Sequence, residues 1–154
     1  MKNKLYIMSG CPGSGKTTYA KSHFPNALYV SRDDIRFNLV SEDEEYFSKE
    51  DEVFTEFVNT INLGLAFGKD VIADATHLNN RSRLKLLRNL DIDRNKTQIE
   101  IYYMQPPLSV CIERNERRKG TRSYVPIDVL KRMYRSFVPP FFQDGICDVY
   151  YRVE

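Results

Sequence analysis

Short apolar segments alternate with amphipathic segments along nearly the whole chain. The apolar segments predict strands at residues 4–8, 27–30, 70–74, 98–104 and 147–151. The clearest helix is predicted over residues 50–67, because apolar side chains recur there every four positions, at Val53, Phe57, Ile61 and Leu65. Strands that alternate with helices predict an α/β fold, in which helices cover both faces of a parallel sheet.

Further helices are predicted over residues 17–22, 80–90, 107–118 and 126–137. Prolines at 106, 107 and 126 suit the starts of the last two helices, because proline fits the first helical turn. At 154 residues the chain is long enough for a substantial core, and we expect one domain over residues 1–154. Ligands of such sheets bind beyond the carboxyl ends of the strands.

Residues 10–17, Gly-Cys-Pro-Gly-Ser-Gly-Lys-Thr, match the phosphate-binding pattern G-x-x-x-x-G-K-[ST] at every fixed position. The pattern lies between a predicted strand and a predicted helix, which is the setting that it requires. Glycines let the backbone N–H groups surround a phosphate, Lys16 reaches the β- and γ-phosphates, and Thr17 can bind Mg²⁺. The predicted nucleotide-binding residues are Gly10, Cys11, Pro12, Gly13, Ser14, Gly15, Lys16, Thr17 and Thr18.

Composition and charge bear on the cellular compartment and on the substrate class. It has no run of 18 apolar residues and no signal-peptide pattern at its start, so we expect neither a membrane span nor secretion. The three cysteines lack metal-ligand spacing, which favours a reducing, cytoplasmic compartment. The net charge of +2 is uneven: residues 81–135 carry 14 basic and 6 acidic groups, or +8. This segment favours a polyanionic substrate or additional contacts to nucleotide phosphates.

Asp33 and Arg36 follow the second predicted strand and are the best candidates for the binding of a phosphate acceptor. A carboxylate within reach of a hydroxyl can take its proton as a general base. Arg36 lies three residues later on the same helical face, where its guanidinium can bind a phosphate. Spacing alone leaves an alternative open, namely that Ser31 or Asp33 only caps the helix.

The loop after the third predicted strand holds Asp74, Thr76 and His77. Asp74 ends an apolar strand, as expected for an acid that binds Mg²⁺ through a water molecule, although a turn residue would look the same. Thr76 is a candidate substrate-binding residue. His77 alone is more often an ordinary loop histidine than a catalytic one.

Four arginines lie close together in the sequence, at positions 114, 117, 118 and 122. Phosphoryl transfer spreads negative charge over the equatorial oxygens, and arginines from a mobile lid stabilise it. The spacing of Arg114 and Arg118 predicts that they point together from one helix. The alternative is a solvated basic helix end.

The order of these motifs resembles the kinase domain of phage-type polynucleotide 5′-hydroxyl kinases, within the P-loop kinase group. The resemblance is carried by residues 10–17, 32–36, 78–79, 114–115 and, most specifically, Val-Pro-Ile-Asp-Val-Leu at residues 125–130. It implies a P-loop kinase-like sheet of about five strands in the order 2-3-1-4-5, with a small lid at residues 114–125.

The resemblance also implies roles for the matched residues. Asp33 would be the general base, Arg36 would bind the adjacent acceptor phosphate, and Arg114 and Arg118 would act with Lys16 in catalysis. The expected activity is transfer of the γ-phosphate of ATP, or of another nucleoside triphosphate, to the 5′-hydroxyl end of DNA or RNA, with Mg²⁺ held by Thr17 and, through water, by Asp74. His77 stands where relatives have asparagine, and the lid is one or two residues longer.

Two other functions fit the same motifs. One is a P-loop kinase for a small metabolite or for an aminoacylated tRNA, which can share the Asp-x-x-Arg arrangement. The other is a nucleotide-dependent switch without catalysis.

Overall fold

The computed structural model describes residues 2–143 and 145–154. Its sheet contains the strands β1 (Asn3–Ser9), β2 (Leu28–Ser31), β3 (Val71–Asp74), β4 (Thr97–Tyr103) and β5 (Val149–Arg152). The spatial order is β2-β3-β1-β4-β5, and each adjacent pair is parallel. The predicted fold class and strand order are therefore confirmed.

The helices of the described residues are α1 (Lys16–His23), α2 (Arg32–Leu39), α3 (Glu50–Ala66), α4 (Asn80–Asn89), α5 (Leu108–Glu116) and α6 (Ile127–Ser136). The five helices with predicted bounds begin and end within two residues of the prediction. The largest difference is at the end of the helix predicted over residues 107–118, because α5 ends at Glu116 and Arg118 lies in the following turn. Pro107 and Pro126 precede α5 and α6 as N-caps.

Alternate residues of β1 enter two different hydrophobic clusters, one on each face of the sheet. Leu5 and Ile7 pack with Phe57 and Ile61 of α3, whereas Tyr6 and Met8 pack with Ala20 of α1. The alternation follows from the strand geometry, which turns successive side chains to opposite faces. Both faces of the sheet are thus covered, and the open edge for ligands is the carboxyl end of the strands.

In the part of the chain that the structure describes, no helix combines the length and the apolar character needed to cross a membrane.

Candidate active site

A cleft of about 680 Å³ opens at the carboxyl ends of β1, β2 and β3. Its lining brings together most of the residues singled out from the sequence: Pro12, Gly13, Gly15, Lys16, Thr17, Thr18, Asp33, Arg36, Asp74, Thr76 and Arg118. These residues are up to about 100 positions apart. The strand order brings together those that follow β1, β2 and β3, whereas Arg118 comes from the turn after α5.

The phosphate loop has the backbone that its glycines predict. Gly13 and Gly15 have φ angles of 80° and 94°, in the left-handed region where a side chain is strained. At Gly13 a Cβ atom would also lie 2.6 Å from the carbonyl oxygen of Cys111, in α5. Lys16, Thr17 and Thr18 form the first turn of α1, where free backbone N–H groups favour a phosphate. The loop can therefore hold a nucleotide phosphate chain.

Some of the predicted loop residues lie outside the cleft lining and build the loop instead. Gly10 donates its backbone N–H to the carbonyl oxygen of Thr76 at 2.9 Å, and Ser14 donates its own to the carbonyl oxygen of Cys11 at 3.1 Å. Burial raises the pKa of the Cys11 thiol to about 12, so the thiol stays protonated at neutral pH. The buried Cys11 is a packing residue.

Thr17 and Asp74 meet at the floor of the cleft. The Thr17 hydroxyl donates to a carboxylate oxygen of Asp74 at 2.7 Å, and the Tyr29 hydroxyl donates to the same oxygen. Burial, reinforced by the nearby Asp74 charge, raises the pKa of Tyr29, so its hydroxyl remains a donor. Among the described residues, no three His, Cys, Asp or Glu side chains cluster as a complete metal site. A hydroxyl, one carboxylate and nucleotide phosphates nevertheless fit Mg²⁺, which keeps several water ligands.

Ser31, and not Asp33, caps α2. The backbone N–H of Asp34 donates to the Ser31 hydroxyl at 3.2 Å, which closes the helix start. The Asp33 carboxylate is 62% exposed and lies in the cleft lining, where it accepts a hydrogen bond from Arg36 at 2.6 Å. The capping alternative is thus resolved for Asp33, whose carboxylate remains open to the cleft.

Arg36 is only 6% exposed and is held on several sides. Its guanidinium binds both carboxylate oxygens of Glu50, with distances of 2.5 and 3.0 Å, in addition to Asp33. It also lies over the rings of Tyr46 and Phe47, at 4.9 and 5.6 Å from their centroids. Burial alone would lower the pKa of Arg36, but hydrogen bonds and charge from Glu50 outweigh it and raise the pKa.

Sequence reasoning missed Tyr29, Glu50, Tyr46 and Phe47. Glu50 belongs to an acidic first turn of α3, Glu50-Asp51-Glu52, which by itself indicates only a helix start. Nothing in the local sequence distinguishes the glutamate that binds an arginine of another helix. The exposed aromatic residues Tyr46 and Phe47 precede α3 at the mouth of the cleft, a position that only the fold reveals.

His77 is buried and shapes the loop after β3. Its φ angle is 41°, and its Nδ1 atom bonds the carbonyl oxygen of Met8 at 2.7 Å. Burial lowers the pKa of His77 to about 4, so the ring is neutral and Nδ1 carries the donated proton. The backbone carbonyl of His77 accepts from Ser9 at 2.7 Å. These contacts make His77 a structural link between β1 and the loop that holds Thr76.

Arg114 lies in α5, whereas Arg118 lies in the turn after it, so the single helix on which the prediction placed both arginines ends between them, at Glu116. Arg114 donates to the carbonyl oxygen of Gly13 at 3.2 Å, and Arg118 lines the cleft. Arg117 pairs with Glu113 at the surface, at 2.6 Å. Arg122 binds the end of α2.

Within the segment predicted as a lid, residues 114–125, we call residues 116–124 the lid loop. Asn115 closes the base of this loop. The buried side-chain amide of Asn115 donates to the Val125 carbonyl at 2.6 Å and accepts from the Val125 N–H at 3.0 Å. Within the loop, Thr121 donates from both its backbone and its hydroxyl to the carbonyl of Arg118. The lid therefore has a fixed base and an ordered turn.

Solved structures with the same fold include kinases of different substrate classes. A chain of the Pnkp1/Rnl/Hen1 RNA repair complex has 23% identity and a TM-score of 0.74, over 88% of this chain and 44% of that chain. A fungal RNA kinase has 14% identity and a TM-score of 0.69, over 100% of this chain and 38% of that chain. A sugar kinase from Janibacter sp. HTCC2649 has 15% identity and a TM-score of 0.67, over 99% of this chain and 85% of that chain.

At these identities the similarity shows the fold, which is that of P-loop kinases. The chain spans less than half the length of the RNA repair and fungal RNA kinase chains that it matches. A family model described as an AAA domain matches residues 5–140, which include the phosphate loop, Asp33, Asp74 and the lid. The chain therefore belongs to this AAA domain family of P-loop proteins.

Proposed function

We propose that this protein is a polynucleotide 5′-hydroxyl kinase, which transfers the γ-phosphate of ATP or another nucleoside triphosphate to the 5′-hydroxyl end of DNA or RNA. The observation that carries the proposal is the Asp33 carboxylate. It is exposed in the same cleft as Lys16 and Thr17, it has no capping role, and it is oriented by Arg36. A binding module needs no such acceptor-side base.

The donor half of the reaction uses the phosphate loop. Its backbone N–H groups and Lys16 would bind the β- and γ-phosphates, while Thr17 would hold Mg²⁺ and Asp74 would reach the ion through water. When bound, Mg²⁺ would neutralise part of the negative charge of the nucleotide phosphates. Tyr29 keeps the Asp74 carboxylate directed at Thr17 by donating to it.

The acceptor half uses α2 and the loop after β3. Asp33 takes the proton of the hydroxyl, whose oxygen forms the new bond to the γ-phosphorus while the bond to the β–γ bridging oxygen breaks. Arg36 binds the phosphate next to that hydroxyl, and Thr76 contacts the acceptor. Arg118 from the lid stabilises the charge that develops on the transferred group, and Arg114 supports the phosphate loop through Gly13.

Two aromatic side chains favour an acceptor that carries a base. Phe47 is 52% exposed and Tyr46 is 37% exposed at the mouth of the cleft, next to Arg36. An exposed aromatic ring beside a phosphate-binding arginine suits a nucleotide, because bases stack on such rings. The RNA repair and RNA kinase structures with the same fold, together with the +8 segment, support the same substrate class.

The experiment is 5′-end labelling with Mg²⁺, γ-labelled ATP and a 5′-hydroxyl oligonucleotide. Asp33→Asn should lower kcat by roughly 10²- to 10⁴-fold, the usual contribution of a general base, and leave ATP affinity within about twofold. Asp34→Asn is the matched control, because Asp34 is the exposed neighbour on the same helix and lies outside the cleft lining. Equal turnover of the two variants would remove the general-base assignment.

A kinase of small metabolites is the second candidate, because a sugar kinase has the same fold over nearly the whole chain. Salt separates the two: affinity for a nucleic acid falls steeply as salt rises, whereas affinity for a sugar changes little. A cytoplasmic location belongs to the proposal as well, in keeping with three free cysteines.

A further inference from the structure

Arg122 connects the lid loop to the far end of α2. Its two terminal nitrogens donate to the carbonyl oxygens of Phe37, at 2.9 Å, and of Val40. Its guanidinium also lies over the Phe37 ring, 4.8 Å from the centroid. Carbonyl groups in the last turn of a helix lack helical partners and carry partial negative charge, so a cation placed there is favoured.

The helix that Arg122 contacts is the one that presents the acceptor residues. Asp33 lies in the first turn of α2 and Arg36 in its last turn, and the Arg122 contact closes the same last turn. At the other end of the lid, Asn115 fixes the base of the loop through Val125. The lid loop is therefore anchored at its base and again against the acceptor helix.

Arginines at 114, 118 and 122 are spaced by four, yet they contact three different parts of the site. Arg114 binds the phosphate loop at Gly13, Arg118 lines the cleft, and Arg122 binds α2. The segment that carries Arg118 thus spans the cleft from the phosphate loop to α2. If its contact with α2 is lost, the base of the lid at Asn115 remains but the far side of the loop is released.

We propose that Arg122 is a positioning residue for phosphoryl transfer, which holds the lid loop against α2 so that Arg118 faces the transferred phosphate. The expected effect of Arg122 on catalysis rests on the proposed polynucleotide kinase activity. Arg122 touches neither nucleotide nor acceptor in this role and acts through Arg118. The contact also holds the last turn of α2, which carries Arg36, against the lid loop.

Arg122→Ala should lower kcat for a 5′-hydroxyl oligonucleotide by about tenfold, because Arg118 then faces the cleft in a smaller fraction of molecules. ATP affinity should stay within about twofold, since the phosphate loop is untouched. Arg122→Lys keeps the charge but offers one nitrogen in place of two, so we expect a loss of about threefold. The matched control is Arg117→Ala, which removes the same charge from an exposed arginine of the lid and should behave as wild type.

Two further readouts separate positioning from loss of structure. In a double-mutant cycle, Arg122→Ala should add less than about twofold to the effect of Arg118→Ala, since Arg122 acts through Arg118. Amide hydrogen exchange should become faster in residues 37–41 and 118–124 of Arg122→Ala, with no change in β1 and β4.

The proposal is overturned if Arg122→Ala keeps wild-type kcat, if the two effects multiply, or if exchange in the lid and at the end of α2 is unchanged. If Arg122→Ala unfolds, the same three measurements on Arg122→Lys, namely kcat, the double-mutant cycle and hydrogen exchange, test the proposal instead. If wild-type protein phosphorylates no polynucleotide, the proposed function fails, and the exchange experiment still tests the contact between the lid and α2.

Discussion

Replacement of Glu50 by glutamine tests whether the acceptor site depends on the ion pair between α2 and α3. Glu50 is 28% exposed and accepts two hydrogen bonds from Arg36, with a further one from Arg32 at 3.2 Å. Glutamine has nearly the same shape, but it offers one acceptor oxygen and no charge. Arg36 therefore loses one hydrogen bond to the carboxylate completely, and the second one is made to an uncharged amide oxygen and is weaker.

The expected cost follows from these contacts. A hydrogen bond to a charged group contributes roughly 1.5–3 kcal/mol. Partial exposure of Glu50 screens the pair, and Asp33 still partners Arg36, which reduces the penalty for an unpaired buried charge. We therefore expect the free energy of unfolding to fall by about 2 kcal/mol, or Tm to fall by roughly 4–8 °C for a chain of this size. The KM for the acceptor should rise, because Arg36 loses its fixed orientation.

The pH dependence of this loss has a definite sign. Burial alone would raise the pKa of Glu50, but hydrogen bonds and charge from Arg36 outweigh it and lower the pKa below its ordinary 4.5. A carboxylate whose pKa is lowered by folding stabilises the protein above its ordinary pKa and loses that contribution as pH falls through the folded value. The stability difference between wild type and Glu50→Gln should be full at pH 7 and shrink below about pH 4.5.

Urea unfolding from pH 3.5 to pH 8 measures both effects. Glu52→Gln is the control, because Glu52 is an exposed glutamate in the same first turn of α3 and should lose only its favourable interaction with the helix dipole, less than about 1 kcal/mol. Equal stability of the two variants at pH 7 would refute this role of Glu50, and so would a difference between wild type and Glu50→Gln that does not change with pH.

Three further changes test other parts of the site. Gly13→Ala should weaken ATP binding by more than about tenfold in calorimetry, because the residue has φ of 80° and the new methyl group would lie 2.6 Å from a carbonyl oxygen of α5; unchanged affinity would contradict the role of the loop backbone. Tyr29→Phe should raise the Mg²⁺ concentration for half-maximal activity about fivefold, since Asp74 loses one donor worth about 1 kcal/mol; an unchanged Mg²⁺ response would leave Tyr29 without this role. Phe47→Ala should raise the oligonucleotide KM about tenfold through lost stacking. The control is Phe67→Ala, which should leave KM unchanged, because Phe67 is 75% exposed and lies outside the cleft lining. Equal KM values for the two variants would argue against base stacking.

The phosphate loop and the parallel α/β sheet were predictable from local pattern, whereas the strand order followed from the resemblance to P-loop kinases. Glycine spacing encodes a backbone path, and the alternation of strands and helices encodes the direction of the sheet. The position of Asp33 just beyond a strand end was predictable for the same reason. Its freedom from capping was not, because Ser31 and Asp33 are both good caps and only the observed hydrogen bond to Ser31 decides between them.

The arrangement of the four arginines from 114 to 122 could not be predicted from their spacing. A spacing of four residues implies a shared face only while the helix lasts, and α5 ends before Arg118. The Arg122 contact with α2 joins residues more than 80 positions apart and therefore leaves no local signal. Glu50 is hidden in the same way, because its acidic neighbours make it look like part of an ordinary helix start.

The site has two kinds of support. A buried hydrogen-bond network lies below the phosphate loop and forms its floor, whereas ion pairs and arginine contacts hold α2 and the lid loop at the sides. Under the phosphate loop, Arg83 is fully buried and donates to the Ser9 hydroxyl at 2.9 Å and to the carbonyl of Val138 at 2.7 Å, while Ser9 donates to the carbonyl of His77. Burial lowers the pKa of Arg83 to about 10, so the guanidinium is charged at neutral pH but costly to bury. Such a charge is tolerated only while its acceptors stay in place, which makes the junction of β1, the loop after β3 and the segment after α6 difficult to move. Under the proposed kinase activity, the lid loop and α2 would bind the substrates against a floor that keeps its geometry.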